Sequence, residues 1–70
     1  MDLQAIGKRI QALREVHGLS KAQLAKKTGL HFNTITNLEE GVGDDLKLGT
    51  LEGVARALGV EPAQLLSRTK

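Results

Sequence analysis

Cysteine is absent from the 70-residue sequence, and aromatic residues and proline each occur once, as Phe32 and Pro62. Without cysteine, disulfide bonds and thiolate metal sites are excluded, and a reducing compartment is a natural setting. The two histidines, His17 and His31, stand too far apart in sequence for the spacing of metal ligands. We therefore expect neither a metal nor a cofactor.

Long apolar runs are also absent. No stretch approaches the ~20 apolar residues of a membrane span, and Lys8 and Arg9 interrupt any signal-like segment near the N-terminus. We expect a cytoplasmic protein without membrane contact, folded as one domain over residues 1–70. A chain this short buries only about 60% of its unfolded surface. Regular helix packing or dimerisation must therefore stabilise it.

The net charge of +2 is unevenly distributed. Residues 1–40 contain six Lys or Arg and four acidic residues, whereas residues 41–70 contain four of each. The excess of positive charge in the first part favours an anionic partner, although so small an excess also fits an ordinary solvated surface.

The spacing of apolar residues predicts five helices and no strand. Asp2 and Gly18 are suited to the two ends of helix one, and the capping-box pattern Ser20–Gln23 opens helix two. Gly29 ends helix two and Gly41 ends helix three. The residues predicted to face inward are Leu3, Ile6, Ile10, Leu13 and Val16 in helix one, Leu24 and Ala25 in helix two, and Ile35 and Leu38 in helix three.

The second part of the chain begins with a loop, "GVGDDLK". Helix four follows and ends at Gly59, and Pro62 opens a short helix five. Gly49 and Gly53, inside helix four, each cost roughly 1 kcal/mol relative to alanine. The predicted inward residues here are Leu48, Leu51, Val54, Ala55 and Leu58 in helix four, and Leu65 and Leu66 in helix five.

The corner between helices two and three, at about residues 20–40, is typical of a helix-turn-helix unit. A small residue, Ala25, allows the two helices to approach, and Gly29 allows a positive φ in the turn. Ile35 and Leu38 face the same core as Leu24. In a helix-turn-helix the second helix enters the DNA major groove.

Four segments strengthen this interpretation: "LREVHGLS", "QLAKKTGL", "TITNLEEG" and "VARALGV". Together they resemble the Cro/C1-type (XRE) helix-turn-helix family of phage repressors and bacterial regulators, over residues 6–66. The resemblance implies an all-α, compact five-helix, lambda-repressor-like domain of bacterial or phage origin. It also implies a double-stranded DNA operator as partner, and a homodimer on a palindromic site.

The resemblance assigns roles to individual side chains. The residues matched to base contacts are Phe32, Asn33, Thr36 and Asn37, and those matched to phosphate contacts are Lys21, His31 and Thr34. Asparagine pairs bidentately with adenine, and phenylalanine packs on a thymine methyl group, so an A·T-rich half-site is expected. As the sole aromatic residue, Phe32 could alternatively be buried in the core.

Two of these positions depart from the usual family residues. Lys21 replaces a common glutamine, and it keeps the phosphate contact as a point charge but cannot brace helix three in the same way. His31 replaces a Ser or Thr cap, so helix three could start one or two residues later, with Asn33 as its cap. A capping Asn33 would be less free to meet a base.

The family also pairs two charged residues between helix one and helix three, here Arg14 and Glu39. The resemblance implies a partly buried structural ion pair, and the alternative is two exposed charges. The loop that follows helix three carries Asp44 and Asp45, where relatives often have basic or amide residues. These carboxylates could cap the loop, weaken phosphate binding, or hold a partner protein.

We therefore expect a dimeric, sequence-specific transcriptional regulator, and specifically a repressor. The alternative is an antitoxin-like interaction protein that binds a partner protein and autoregulates its operon. Only "SRTK" follows Leu66, whereas toxin-binding antitoxins usually carry a longer tail. An enzyme is not expected, because no nucleophile–base constellation or phosphate-cradling loop is present in the sequence.

Overall fold

The computed structural model describes residues 2–42 and 47–66, which form five α-helices and contain no strand. The helices are α1 (Leu3–Val16), α2 (Lys21–Thr28), α3 (Phe32–Glu40), α4 (Leu48–Leu58) and α5 (Pro62–Leu66). The predicted all-α, five-helix architecture is confirmed. The predictions for Asp44 and Asp45 lie outside the described residues.

The helix ends follow the predicted capping chemistry. The Oδ1 of Asp2 accepts hydrogen bonds from the backbone N–H groups of Gln4 and Ala5, each at 3.1 Å. At the start of α2, the Gln23 N–H donates to Ser20 Oγ at 3.0 Å, and the Ser20 N–H donates to Gln23 Oε1 at 2.7 Å. This reciprocal pair satisfies two N–H groups that the helix itself leaves free.

The turn between α2 and α3 is only three residues long. Gly29 adopts φ +76°, a left-handed conformation that is unfavourable for residues with a side chain. The Leu30 N–H donates to the Ala25 carbonyl at 3.1 Å. Because the turn is so short and so closed, the direction of α3 relative to α2 is fixed by local geometry.

A single hydrophobic core joins all five helices. α3 packs chiefly on α1 and α2, while α1 also contacts α4 and α5. The buried apolar residues are Ile6, Ile10, Leu24, Ala25, Ile35, Leu51, Val54, Ala55, Leu58 and Leu65. All of them belong to the set predicted to face inward.

Three predicted core residues are instead exposed: Val16 by 81%, Leu48 by 64% and Leu66 by 41%. Val16 is the last residue of α1 and Leu48 the first of α4, and at a helix end the periodic face has no neighbouring helix to cover it. Leu66 points about 100° away from the fully buried Leu65 around the helix axis, and on the short α5 that direction is exposed.

Candidate nucleic-acid interface

The outer face of α3 is polar and accessible. Asn33 and Asn37 are exposed, and because they are four residues apart they lie one above the other on the same side of the helix. Phe32 is 51% exposed, whereas Ile35 is fully buried against the core. The alternative placement of Phe32 in the core is therefore wrong, and α3 exposes an aromatic ring as well as the two amide side chains.

The first turn of α3 has no side-chain cap. The helix begins at Phe32 with His31 as the N-cap residue in extended conformation, and the His31 side chain makes no capping hydrogen bond. The expectation of a later start with Asn33 as the cap is therefore wrong. A local reason is that the turn is closed at Gly29, so the backbone can enter the helical conformation at Phe32 without a side-chain cap. As a result the Asn33 amide is not engaged in capping.

The two threonines of this helix are less accessible than the asparagines. Thr34 and Thr36 are both half-buried. The Oγ1 of Thr36 is buried and has no hydrogen-bond partner among the described residues. Its hydroxyl would have to rotate about χ1 to reach a molecule outside, whereas the amides of Asn33 and Asn37 are directly exposed.

Lys21 is the first residue of α2, immediately after the Ser20 cap. Its side chain is half-buried and lies on the helix that precedes the turn, not on α3 itself. His31 is exposed at the end of the turn, immediately before α3. The two cationic or potentially cationic groups therefore stand at the starts of the two consecutive helices.

The ion pair expected between α1 and α3 is present. The Nε of Arg14 donates to Glu39 Oε2 at 2.6 Å, and its Nη2 donates to Glu39 Oε1 at 3.1 Å. The Nη1 of the same guanidinium donates to the Leu19 carbonyl at 2.8 Å. The hydrogen bond to Glu39 is the main cause that raises the pKa of Arg14 above its usual range, against the opposing effect of burial. This pair fastens the C-terminal part of α3 to α1.

A second attachment of α3 to α1 involves a glycine that periodicity alone did not single out. A Cβ at Gly7 would stand 2.4 Å from the Leu38 carbonyl oxygen and 2.5 Å from that of Glu39. Likewise, a Cβ at Gly41 would stand 2.7 Å from the Cα of Gln4. The sequence does carry a signal for Gly7, since a glycine inside a helix is costly unless close packing requires it.

No metal or membrane feature accompanies this surface in the described part of the chain. Residues 2–42 and 47–66 contain no group of three or more histidine, aspartate or glutamate side chains that could hold a metal ion. In the same residues no helix combines the length and apolar character needed to cross a membrane.

Comparisons with known proteins agree with this geometry. A helix-turn-helix family model matches residues 10–65. The restriction-modification controller protein C.AhdI from Aeromonas hydrophila is 34% identical with a TM-score of 0.84, and the match covers 91% of this chain and 96% of that one. No curated protein matches the sequence significantly.

Two structures of the regulator SinR are also similar. SinR, a master regulator for biofilm formation solved in complex with DNA, is 31% identical with a TM-score of 0.83, and the match covers 89% of this chain and 98% of that one. A chain in the structure of the complex of SinR with SinI is 30% identical with a TM-score of 0.85, and this match covers 90% of this chain and 61% of that one.

These relatives are regulators and not enzymes, and their folds match this all-helical fold over about nine-tenths of this chain. The match to the family model spans most of the chain, including the whole helix-turn-helix unit. The chain therefore belongs to the Cro/C1-type (XRE) helix-turn-helix family of DNA-binding transcriptional regulators.

Proposed function

We propose that this regulator acts as a homodimeric repressor on a two-fold symmetric operator, with α3 lying in the major groove. The observation that carries the proposal is the asymmetry of α3. Asn33 and Asn37 are exposed on one side, and Ile35 on the other side is fully buried. A helix held in this way presents amide groups to a groove without exposing the core.

Base reading is assigned to Phe32, Asn33, Thr36 and Asn37. Each asparagine amide matches the donor–acceptor pattern of adenine N6 and N7 in the major groove. The exposed ring of Phe32 complements the C5-methyl group of thymine, the one apolar group that base pairs present there. Thr36 joins this set through its methyl group, or through its hydroxyl after a χ1 rotation. An A·T-rich half-site follows.

Phosphate contacts are assigned to Lys21, His31 and Thr34. Because no side chain caps α3, the N–H groups of its first turn remain available to an anion, and the helix dipole favours negative charge at this end. Lys21 adds a full positive charge at the start of α2. These contacts would set the register of the protein on the duplex without selecting a sequence.

Dimerisation is assigned to the surface around the end of α4 and α5. Leu66 of α5 is 41% exposed, and a groove on α4 and the start of α5 is lined by Glu52, Arg56, Val60 and Pro62. Two copies on DNA should place their recognition helices about 34–36 Å apart, one turn of the duplex. The operator of such a regulator lies on a bacterial or phage genome, which places the protein in the bacterial cytoplasm.

Selection of bound sequences from a random duplex pool tests the proposal. The expected product is an inverted repeat with A·T pairs in each half and half-site centres about 10–10.5 base pairs apart. Selection with Asn37→Ala should lose the preference at one position in each half, while the spacing of the halves stays the same. Enrichment of a single unrepeated site, or of no site, would contradict the proposed mode of binding.

A protein partner is the second candidate function. The similar regulator SinR has been solved in a complex with SinI, and in this chain the exposed Leu66 provides an apolar contact outside α3. Capture of one specific protein that is lost with Leu66→Glu, together with no enriched DNA sequence, would favour the interaction protein over the repressor. Sedimentation of wild type and Leu66→Glu without any partner separates this case from loss of the homodimer.

A further inference from the structure

Gly7 lies where α1 and α3 come closest. It is in the interior of α1, and its φ is not positive, so no turn requires a glycine here. A Cβ at this position would stand 2.4 Å from the Leu38 carbonyl oxygen, 2.5 Å from the Glu39 carbonyl oxygen and 2.8 Å from the Glu39 carbonyl carbon. All three atoms belong to the backbone of α3, so no side-chain rotation can relieve the overlap.

We propose that Gly7 is a positioning residue for sequence reading, because it sets the distance at which α3 rests on α1. The inference rests on the proposed function, in which α3 is the helix that meets the bases. Gly7 itself need not touch DNA. Its role is to allow the carbonyl groups of Leu38 and Glu39 to lie directly against the α1 backbone, so that the exposed amides of Asn33 and Asn37 are held at one depth.

The packing indicates that α3, and not α1, moves when this contact is filled. α1 is anchored on its other sides, since it packs on α4 and α5 and the Nη1 of Arg9 donates to the Leu65 carbonyl at 2.8 Å. The extensive contacts of α3 are with α1 and α2 alone. Apart from their contact with each other, α3 packs extensively on one helix and α1 packs on two, so α3 is taken as the helix that is displaced.

The size of the displacement decides its effect. To bring the shortest contact from 2.4 Å to the 3.0 Å that real Cβ atoms respect, α3 must retreat by about 0.6 Å. Bidentate hydrogen bonds to a base tolerate a range of only about 0.5 Å. The long side chain of Lys21, on α2, can follow a phosphate over a larger distance. A Cβ at Gly7 should therefore lower the affinity for the operator much more than the affinity for random DNA.

The experiment measures affinity for the selected operator and for a random duplex of equal length. Gly7→Ala is placed in a Gly53→Ala background, and Gly53→Ala alone is the matched control. A Cβ at Gly53 meets no described atom within 4 Å, and an alanine inside α4 raises helix stability, which helps Gly7→Ala to remain folded. Ile10→Val is a second control, since it weakens the core without inserting an atom between helices. Far-ultraviolet circular dichroism at the assay temperature confirms that each variant is folded.

The ratio of specific to non-specific affinity is expected to fall tenfold or more in Gly7→Ala/Gly53→Ala, with non-specific affinity changed less than twofold. Gly53→Ala and Ile10→Val should keep the wild-type ratio. A lowered melting temperature with an unchanged ratio would overturn the inference, as would equal losses on both DNAs. Asn37→Ala in the same assay distinguishes the role of Gly7 from the role of α3 in reading the bases. If Asn37→Ala lowers the ratio and Gly7→Ala does not, only the role of Gly7 fails; if neither does, the reading role of α3 fails with it.

Discussion

Removing the charge of Glu39 should destabilise the fold more than any surface substitution on α3. Glu39→Gln keeps the size of the side chain but leaves the Arg14 guanidinium without its counter-ion. The side chains of Arg14 and Glu39 are only 10% and 3% exposed, so water cannot replace the lost partner. Both hydrogen bonds of the pair, at 2.6 Å and 3.1 Å, depend on the carboxylate.

Breaking a buried ion pair on one side typically costs about 3–5 kcal/mol. One anchor of Arg14 survives, since its Nη1 still donates to the Leu19 carbonyl, and the glutamine oxygen can accept one of the two lost bonds. We therefore expect the lower end, about 3 kcal/mol. A domain of this size has a total stability of roughly 4–10 kcal/mol. The corresponding fall in melting temperature is about 12–24 °C.

Urea unfolding followed by circular dichroism at 222 nm is the suitable assay, because the chain has no tryptophan or tyrosine to report by fluorescence. Glu40→Gln is the matched control: the same substitution on the next residue of the same helix, at an exposed position. It should change the free energy of unfolding by less than about 0.5 kcal/mol.

Neutral pH is appropriate for this comparison. The raised pKa of Arg14 stabilises the fold at every pH below the ordinary arginine pKa, and this contribution is lost only as the pH rises through the raised value. Deprotonation of the guanidinium therefore does not weaken the pair near pH 7. A loss below about 1 kcal/mol for Glu39→Gln, as expected for an exposed ion pair, would contradict a stabilising role of the buried pair.

Three further outcomes follow from the helix ends and from α4. Gly53→Ala should raise the free energy of unfolding by about 0.5–1 kcal/mol in urea titrations, because the position is helical and a Cβ there meets no described atom. His31→Ser should stabilise by about 0.5–1 kcal/mol in the same titration, since His31 occupies an extended N-cap position without a side-chain bond. Lys21→Ala should weaken binding to operator and random DNA alike, and lower the slope of log affinity against log salt by about one. If Gly53→Ala or His31→Ser does not raise the free energy of unfolding, the structural reason given for that variant is contradicted. If Lys21→Ala leaves the salt slope unchanged, Lys21 does not contact a phosphate.

The sequence predicts the helices well because their signals are local. Asp2, the Ser20–Gln23 capping box and Gly29 each act within a few residues, and each has in the structure the conformation its chemistry requires. Burial is less local. Val16 and Leu48 continue the apolar period of their helices but lie at ends that no other helix covers, so periodicity alone placed them in the core.

The attachments of α3 to α1 depend on two helices at once. Arg14 and Glu39 were paired by family resemblance, but the third hydrogen bond of Arg14, to the Leu19 carbonyl, depends on where the chain turns after α1. The contact of Gly7 with the carbonyl groups of α3 requires the crossing of the helices to be known. The start of α3 at Phe32 likewise differs from the cap preference at His31, because the helix begins directly after the closed turn although His31 makes no capping hydrogen bond.

Reading of the operator by the exposed amides of α3 can be separated from phosphate binding in a single comparison. Affinities of wild type, Asn37→Ala and Lys21→Ala are compared on the selected operator and on random DNA at one salt concentration. Asn37→Ala is expected to lose about 1–3 kcal/mol of binding free energy on the operator and almost nothing on random DNA, while Lys21→Ala should weaken binding to both alike. Equal losses on the two DNAs for Asn37→Ala would contradict reading of the operator by these amides.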